Sequence, residues 1–213
     1  MDKVILLGGG GHCKVVIDTL STLGIIPFGI VDDDDTFQGK EIIGIPVLGT
    51  IDELRDYAGK VEYSVITITD PTTRHLLSKR CNDFSADLSG FAHPSATISS
   101  FATVSSKAQI CSGSVINPSS LIEDHTIINT GAIIEHDSII GQYSHIAPGA
   151  RVLGGANIGE KCLIGASATV LPNVSVGKGV VVGAGAVVIQ NLEDNSKYVG
   201  VPAKKVEDLN ANQ

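Results

Sequence analysis

The stretch IEHDSIIGQYSHIAPGARV, residues 134–152, has an aliphatic residue at every sixth place: Ile134, Ile140, Ile146 and Val152. Stepping outward by six, the series runs unbroken from Ile98 to Val188, sixteen positions that are all Ile or Val. Two places before each stands a small or β-branched residue, as at Ala132, Ser138, Ser144, Ala150 and Ala156. The two positions share a parity, so in a strand both side chains face the same way. Gly, Asn, Asp and Pro gather between them, where a turn would fall. A helix needs a period of 3.6, which six does not match. Packed hairpins would bring loops of irregular length, and the series has none. The pattern therefore predicts short strands and turns wound into stacked rungs. Each rung alone is too short to bury its aliphatic residue. Stacked, the rungs bury a continuous column worth about 1.5–3 kcal/mol per fully buried side chain.

The pairs Ile140-Gly141, Ile158-Gly159, Ile164-Gly165, Val176-Gly177 and Val182-Gly183 give this repeat the form found in the hexapeptide-repeat acyltransferases, which the chain resembles. The resemblance implies a left-handed parallel β-helix of triangular section with three hexads per coil, so that residues eighteen apart stack. It also implies a homotrimer with active sites in the grooves between subunits.

Residues 1–85 read differently. Val4–Leu7 is strand-like and is followed by Gly8, Gly9, Gly10, Gly11 and His12, then by a helical run from Lys14 to Leu23. Phe28–Val31 and Ser64–Ile68 are further expected strands; Ile51–Tyr57 and Thr73–Cys81 are expected helices. Alternating strands and helices predict a parallel sheet. The glycine run stands where a Rossmann-like unit cradles phosphate, but Cys13 holds the place of the third glycine of GxGxxG. Asp32 lies at the distance expected for a ribose-binding carboxylate. The predicted organisation is an α/β domain (1–85), a β-helix domain (86–190) and a tail (191–213); resemblance to sugar acetyltransferases of this layout implies that they are, in order, a nucleotide-sugar-binding domain, a left-handed β-helix acetyltransferase domain and a coenzyme A-capping tail.

A Gly-rich α/β unit followed by β-helix coils resembles, over nearly the whole chain, the N-acetyltransferases that act on UDP-4-amino-4,6-dideoxy-N-acetylglucosamine on the bacillosamine route. Perosamine N-acetyltransferases and sialic acid O-acetyltransferases share the architecture. The resemblance implies acetyl-CoA as co-substrate and a nucleotide-linked amino-deoxy sugar as acceptor. A noncatalytic β-helix ligand-binding protein is the reading from another class. Amine and hydroxyl acceptors, and UDP and GDP carriers, are equally compatible with these residues.

The net charge of -8 argues against a nucleic-acid partner, which needs clustered Lys and Arg. Cys13, Cys81, Cys111 and Cys162 are widely spaced and read as free thiols in a reducing compartment. The chain enters its first strand without a signal-peptide layout, and no apolar run reaches membrane-spanning length, so a cytoplasmic protein without membrane insertion is expected.

Among six histidines, His136 is the candidate general base. It follows Ile134 by two places, at a corner of the coil, and has Glu135 and Asp137 beside it, either of which could hold one ring nitrogen. The resemblance gives the base role to His136 and the orienting role to the acid after it, Asp137, with Glu135 the alternative. Gly154 lies one coil above His136 and would expose an N–H to the thioester oxyanion; the family alignment also places its carbonyl-binding amide there. By resemblance His145 contacts the acetyl donor. Stacked small residues Pro148, Ala166 and Ala184 would line the pantetheine groove, and Pro202 and Lys204 belong to a closing motif over coenzyme A; Lys205 could join Lys204 at its phosphates. Gly8, Gly11, His12, Asp32 and Asp33 match the nucleotide-sugar positions, and Asn129 a position near the acceptor amine. The spacing of His136 and His145 does not suit a metal site, so no metal is expected.

Overall fold

A computed structural model describes residues 4–57 and 59–209. Residues 1–3 of the expected amino-terminal unit and 210–213 of the expected tail lie outside the described residues. Strand β1 (Val4–Leu7) is buried along its whole length, as a strand covered on both faces must be. It pairs in parallel with β2 (Gly29–Val31) on one side and β5 (Tyr63–Ile66) on the other. Two strands absent from the sequence reading, β3 (Glu41–Ile42) and β4 (Ile45–Gly49), form a hairpin, and β4 adds to β2. The sheet order is β3-β4-β2-β1-β5.

Helix α1 (Gly11–Thr22) starts three residues earlier than Lys14, because the extended backbone of Gly10 caps it directly. His12 therefore sits in the first helical turn. Helix α2 (Pro71–Asp83) also starts earlier than expected. Asp70 caps it by accepting from the Thr73 N–H at 2.7 Å, and Pro71 supplies the first residue. Ile51–Tyr57 is a 3-10 helix rather than an α-helix.

The carboxy-terminal half is the left-handed β-helix. Its two-residue rungs form three faces. The first face stacks Phe91–Ala92, Gln109–Ile110, Ile127–Ile128, His145–Ile146, Leu163–Ile164 and Val181–Val182. The second runs from Thr97–Ile98 to Val187–Val188, and the third from Thr103–Val104 to Ser175–Val176. Each of the sixteen aliphatic positions is the second residue of a rung, and partners are eighteen apart, as in Ile128↔Ile146 and Ile146↔Ile164. From Ile110 to Val188, together with the small residues two places earlier, they form the coil's core; Val104 packs against it and Ile98, on the first tier, is exposed. Every sixth residue from Gly113 to Gly185 has positive φ, Asp137 (φ 59) and Tyr143 (φ 61) among them.

The described part of the expected 191–213 tail, residues 191–209, is ordered on the end of the coil. Ser196–Val199 and Lys204–Asp208 form an antiparallel hairpin that extends the first face. Tyr198 pairs with Val182, a step of sixteen rather than eighteen, and with Leu192 and Ala203 it closes the end of the core. Among the described residues no helix is long and apolar enough to cross a membrane.

The two halves share a seam on the first face. Cys13, Val16 and Ile17 of α1 pack in one cluster with Phe91, Cys111 and Ile127 of the coil. Arg74 of α2, fully buried, crosses the same seam. Its guanidinium donates to the carbonyls of Ile68 and Thr69 in its own unit and of His125, Tyr143 and Ser144 in the coil. Burial pushes its pKa down to about 10, which leaves it charged at neutral pH. Tyr143 stacks on His125 with ring centroids 5.0 Å apart and takes His75 edge-on at 4.6 Å.

Candidate active site

His136 lies at the corner between the second and third faces, with 63% of its side chain exposed. Its Nδ1 is 2.7 Å from Asp137 Oδ2. A carboxylate accepts, so Nδ1 carries hydrogen and Nε2 is left with a lone pair. Asp137 stands at the positive-φ place of its turn, which Asp tolerates better than most residues. Glu135 is turned elsewhere: its Oε2 accepts from Asn117 Nδ2 at 2.9 Å, one tier below. Gly154 is directly above the ring. A Cβ built there would meet His136 Nε2 and Cε1 at 2.7 Å, so only glycine leaves the imidazole its place. The Gly155 N–H donates to the His136 carbonyl, whereas the Gly154 N–H has no hydrogen-bond partner among the described residues.

The other expected residues gather elsewhere. Pro148, Ala166 and Ala184 are exposed in one column at the corner after the first face. The turn carrying Pro202 closes over the end of the coil, with the Ala203 N–H donating to the Val187 carbonyl at 2.8 Å. Pro202 and Lys204 are exposed there, while Lys205 pairs with Glu193 at 3.0 Å and with Asp208.

His145 is not on an open groove of this chain. It is 7% exposed, in the seam, where its Nε2 lies 3.0 Å from Asn129 Nδ2. Asn129 Oδ1 accepts from the Thr130 N–H, so its amide nitrogen faces His145 and donates. Burial first, then the charges of Arg74 and His12, push the His145 pKa down to about 3. His12 Nε2 lies 3.0 Å from Gln109 Oε1 in the same seam.

A cavity of about 310 Å³ opens beside the glycine run, lined by Gly8, Asp32, Asp33, Ile51, Ile68, Thr73, Leu76, Leu77 and Arg80. Gly8 has φ +113 and lies too close to Ile68 and Thr67 for a side chain. Asp32 is already engaged: Oδ2 accepts from the Gly9 N–H at 2.5 Å and Oδ1 from the Asp34 N–H at 2.7 Å. Asp33 accepts from the Ile51 N–H and from Arg80. Burial raises its pKa, but the Arg80 and Ile51 bonds outweigh that and hold it below the ordinary value. Gly11 and His12 are not among the residues lining this cavity. Arg80, Arg74 and Gln109 carried no signal in the sequence, because each finds its partners across long stretches of chain.

The four cysteines are free and buried, and burial pushes Cys111 and Cys162 up to about 12, which removes both as nucleophiles. Among the described residues no group of His, Cys, Asp and Glu is gathered as metal ligands would be.

A carboxylate-held imidazole under a bare glycine amide is an arrangement that can accept a proton and donate to a developing oxyanion. The PglD N-terminal domain model matches residues 3–81, and the bacterial transferase hexapeptide model matches 119–154 and 155–190. A mutant perosamine N-acetyltransferase from Caulobacter crescentus, solved with CoA and GDP-perosamine, is 35% identical over 98% of each chain, with a TM-score of 0.93. The acetyltransferase domain of PglB from Neisseria gonorrhoeae, in complex with acetyl coenzyme A, is 32% identical over 96% of this chain and 98% of that one, with a TM-score of 0.88. WeeI from Acinetobacter baumannii shares the fold, at 22% identity over 97% of this chain and all of that one, with a TM-score of 0.79. No curated protein matches the chain. The chain belongs to the hexapeptide-repeat sugar acetyltransferases, and it is an acetyltransferase.

Proposed function

We propose that the protein transfers the acetyl group of acetyl-CoA to the 4-amino group of a nucleotide-linked amino-deoxy sugar, with UDP-4-amino-4,6-dideoxy-N-acetylglucosamine as the first candidate. The observation that carries this reading is the His136 ring, held by Asp137 at Nδ1 and facing Gly154 at Nε2. The amine nitrogen attacks the thioester carbonyl and its proton passes to His136 Nε2. The Gly154 N–H donates to the oxyanion. Collapse breaks the C–S bond, and the coenzyme A sulfur leaves and takes up a proton. Acetyl-CoA is the donor, laid along Ala166 and Ala184 beneath the turn of Pro202 and Lys204.

The apolar slot beside Asp32, Asp33 and Arg80 suits a nucleoside, base inward and ribose at the acids. That slot belongs to the unit packed on the first face, whereas His136 stands at the corner opposite that face. One copy therefore does not bring the two together, which supports a homotrimer whose sites combine the nucleotide unit of one subunit with the corner of the next. A GDP carrier is the second reading, favoured by the 35% identical relative solved with GDP-perosamine. The deciding experiment is thiol release from acetyl-CoA with UDP- and GDP-linked amino sugars and with hydroxyl acceptors. Release with a nucleotide amino sugar is expected. Release with hydroxyl acceptors alone would replace N-acetylation by O-acetylation, and no release with any acceptor would leave a noncatalytic binding protein.

A further inference from the structure

The peptide group that carries the Gly154 N–H has the Leu153 carbonyl at its other end. That oxygen accepts twice, from the Ala156 N–H at 3.1 Å and from the Ser138 hydroxyl at 3.1 Å. A carbonyl can only accept, so Ser138 Oγ supplies the hydrogen. Ser138 is fully buried, two places after His136 and one tier below the carbonyl it reaches. The amides on either side of Gly154 are engaged: the Leu153 N–H donates to the Val170 carbonyl at 3.0 Å and the Gly155 N–H to the His136 carbonyl at 2.9 Å. In the column of His136 and Gly154, the tier below His136 holds Pro118 and the tier above Gly154 holds Pro172. Proline has no N–H, so the coil's own bonding needs none at this place. The Gly154 N–H is thus left for a ligand, while the oxygen of its peptide is doubly bound. Hydrogen bonds to an amide oxygen draw charge toward it and strengthen the N–H as a donor, by about 10–30% per bond. Ser120, equally buried in the same column as Ser138, is set otherwise. Its hydroxyl donates to the Asn117 carbonyl at 2.6 Å, and that peptide ends in Pro118, with no N–H to strengthen.

We infer that Ser138 is a positioning residue for acetyl transfer: its hydroxyl holds and polarises the Leu153–Gly154 peptide, so that the Gly154 N–H meets the oxyanion as a stronger donor. This rests on the reading above, in which the thioester oxygen turns to Gly154. Ser138 is buried in the coil, so it acts through the peptide and not on the substrate. Its bond to Leu153 tightens as negative charge gathers on the acetyl oxygen, because one peptide carries both contacts. It therefore favours the transition state over the bound ground state, and its effect falls on kcat rather than KM. One oxyanion donor is worth about 10²–10³ in kcat, and 10–30% of that free energy is about two- to eightfold.

NMR of the full-length protein with carbonyl-labelled leucine and nitrogen-labelled glycine shows only the Leu–Gly peptides: Leu7–Gly8, Leu23–Gly24, Leu48–Gly49 and Leu153–Gly154. The first three lie in the α/β unit. In Ser138→Ala one cross-peak is expected to move, with the carbonyl carbon and the amide proton both upfield. The coil already holds Ala156 at the same inward place one tier up, so alanine fits. kcat should fall about two- to eightfold, while the KM values for acetyl-CoA and the nucleotide sugar change less than about twofold. The acid limb of the pH profile should stay, because His136 keeps Asp137. Ser138→Cys retains a weak donor; Cys162 makes the same reach, fifteen residues on, to the Gly177 carbonyl at 2.9 Å. Its kcat should fall between those of wild type and Ser138→Ala. Ser120→Ala should lower the melting temperature about as much as Ser138→Ala and leave kcat within about twofold of wild type. An unmoved cross-peak overturns the inference, as do equal kcat losses in Ser138→Ala and Ser120→Ala or a displaced acid limb. If Ser138→Ala does not fold, Ser138→Cys is read by the same cross-peak and the same kcat. If no nucleotide sugar is turned over, the functional reading falls and the oxyanion role with it, while the cross-peak still decides whether Ser138 polarises the Gly154 amide.

Discussion

His136 and His145 belong to the same coil, nine residues apart, and their surroundings are opposite. His136 stands on an open corner with a carboxylate on Nδ1. His145 is buried in the seam with an amide on Nε2, its pKa pushed down to about 3. A carboxylate partner steadies the positive ring that forms when a base takes a proton. An amide in a buried seam does not, so His145 remains a neutral ring with a fixed donor. Residue type alone therefore says little about these imidazoles; the partner atom and the burial decide which can move a proton.

The contrast can be tested on both sides. His136→Ala is expected to lower kcat by roughly 10²–10⁴, the range for loss of a general base, whereas His145→Gln should lower kcat by less than about tenfold. Equal losses in steady-state kinetics would erase the distinction. Gly154→Ala places a Cβ 2.7 Å from the His136 ring and so displaces it. A fall in kcat of about 10² is expected, the lower end of the range for a displaced general base, with an unchanged far-UV circular dichroism spectrum. On the seam side, Arg74→Met removes the donor from five carbonyls, those of His125 and Ser144 in buried bonds, and should cost about 3 kcal/mol in denaturant unfolding. A loss no larger than that of a surface substitution would mean that the seam does not depend on Arg74.

A smaller effect is expected from acid. His125 and His145 have folded pKa values pushed down to about 4 and about 3 from 6.5, by burial first and neighbouring cations after it, though Asp124 partly opposes the shift at His125. Between those values and 6.5 the unfolded chain binds more protons than the folded one, so stability increases with pH in that window. Their contribution is complete above about 6.5 and is lost as pH falls toward 4 and then 3. Melting temperatures measured from pH 7 to pH 4 should drop, and the drop should shrink in His125→Gln.

The coil was legible because its core is made of one local rule repeated. Ile134 needs only the residues six and eighteen away to define its place, and the sequence displays those intervals directly. The outward turn of His136 followed from the same rule, since it comes two places after a buried rung. The α/β unit was legible as a class but not in detail. The β3–β4 hairpin has strands of two and five residues, too short to carry a periodic signal. The early start of α1 depended on the backbone of Gly10. The closing hairpin at Ser196–Val199 was hidden because the rung there steps by sixteen.

The sixfold repeat was sufficient for stacked short rungs, and the family resemblance it carries supplied three hexads to a coil, and with them the stacking of Gly154 over His136 and the exposure of that corner, because each follows from neighbours at fixed intervals along the chain. The choice of Asp137 over Glu135 needed coordinates, since both flank the ring and only their directions differ. So did the burial of His145, the grip of Arg74 on the coil and the bridge from Gln109 to His12. Those contacts join residues separated by up to 97 positions, at a seam where two differently patterned halves meet. No interval in the chain encodes such a meeting; it comes into being only when the α/β unit docks on the first face.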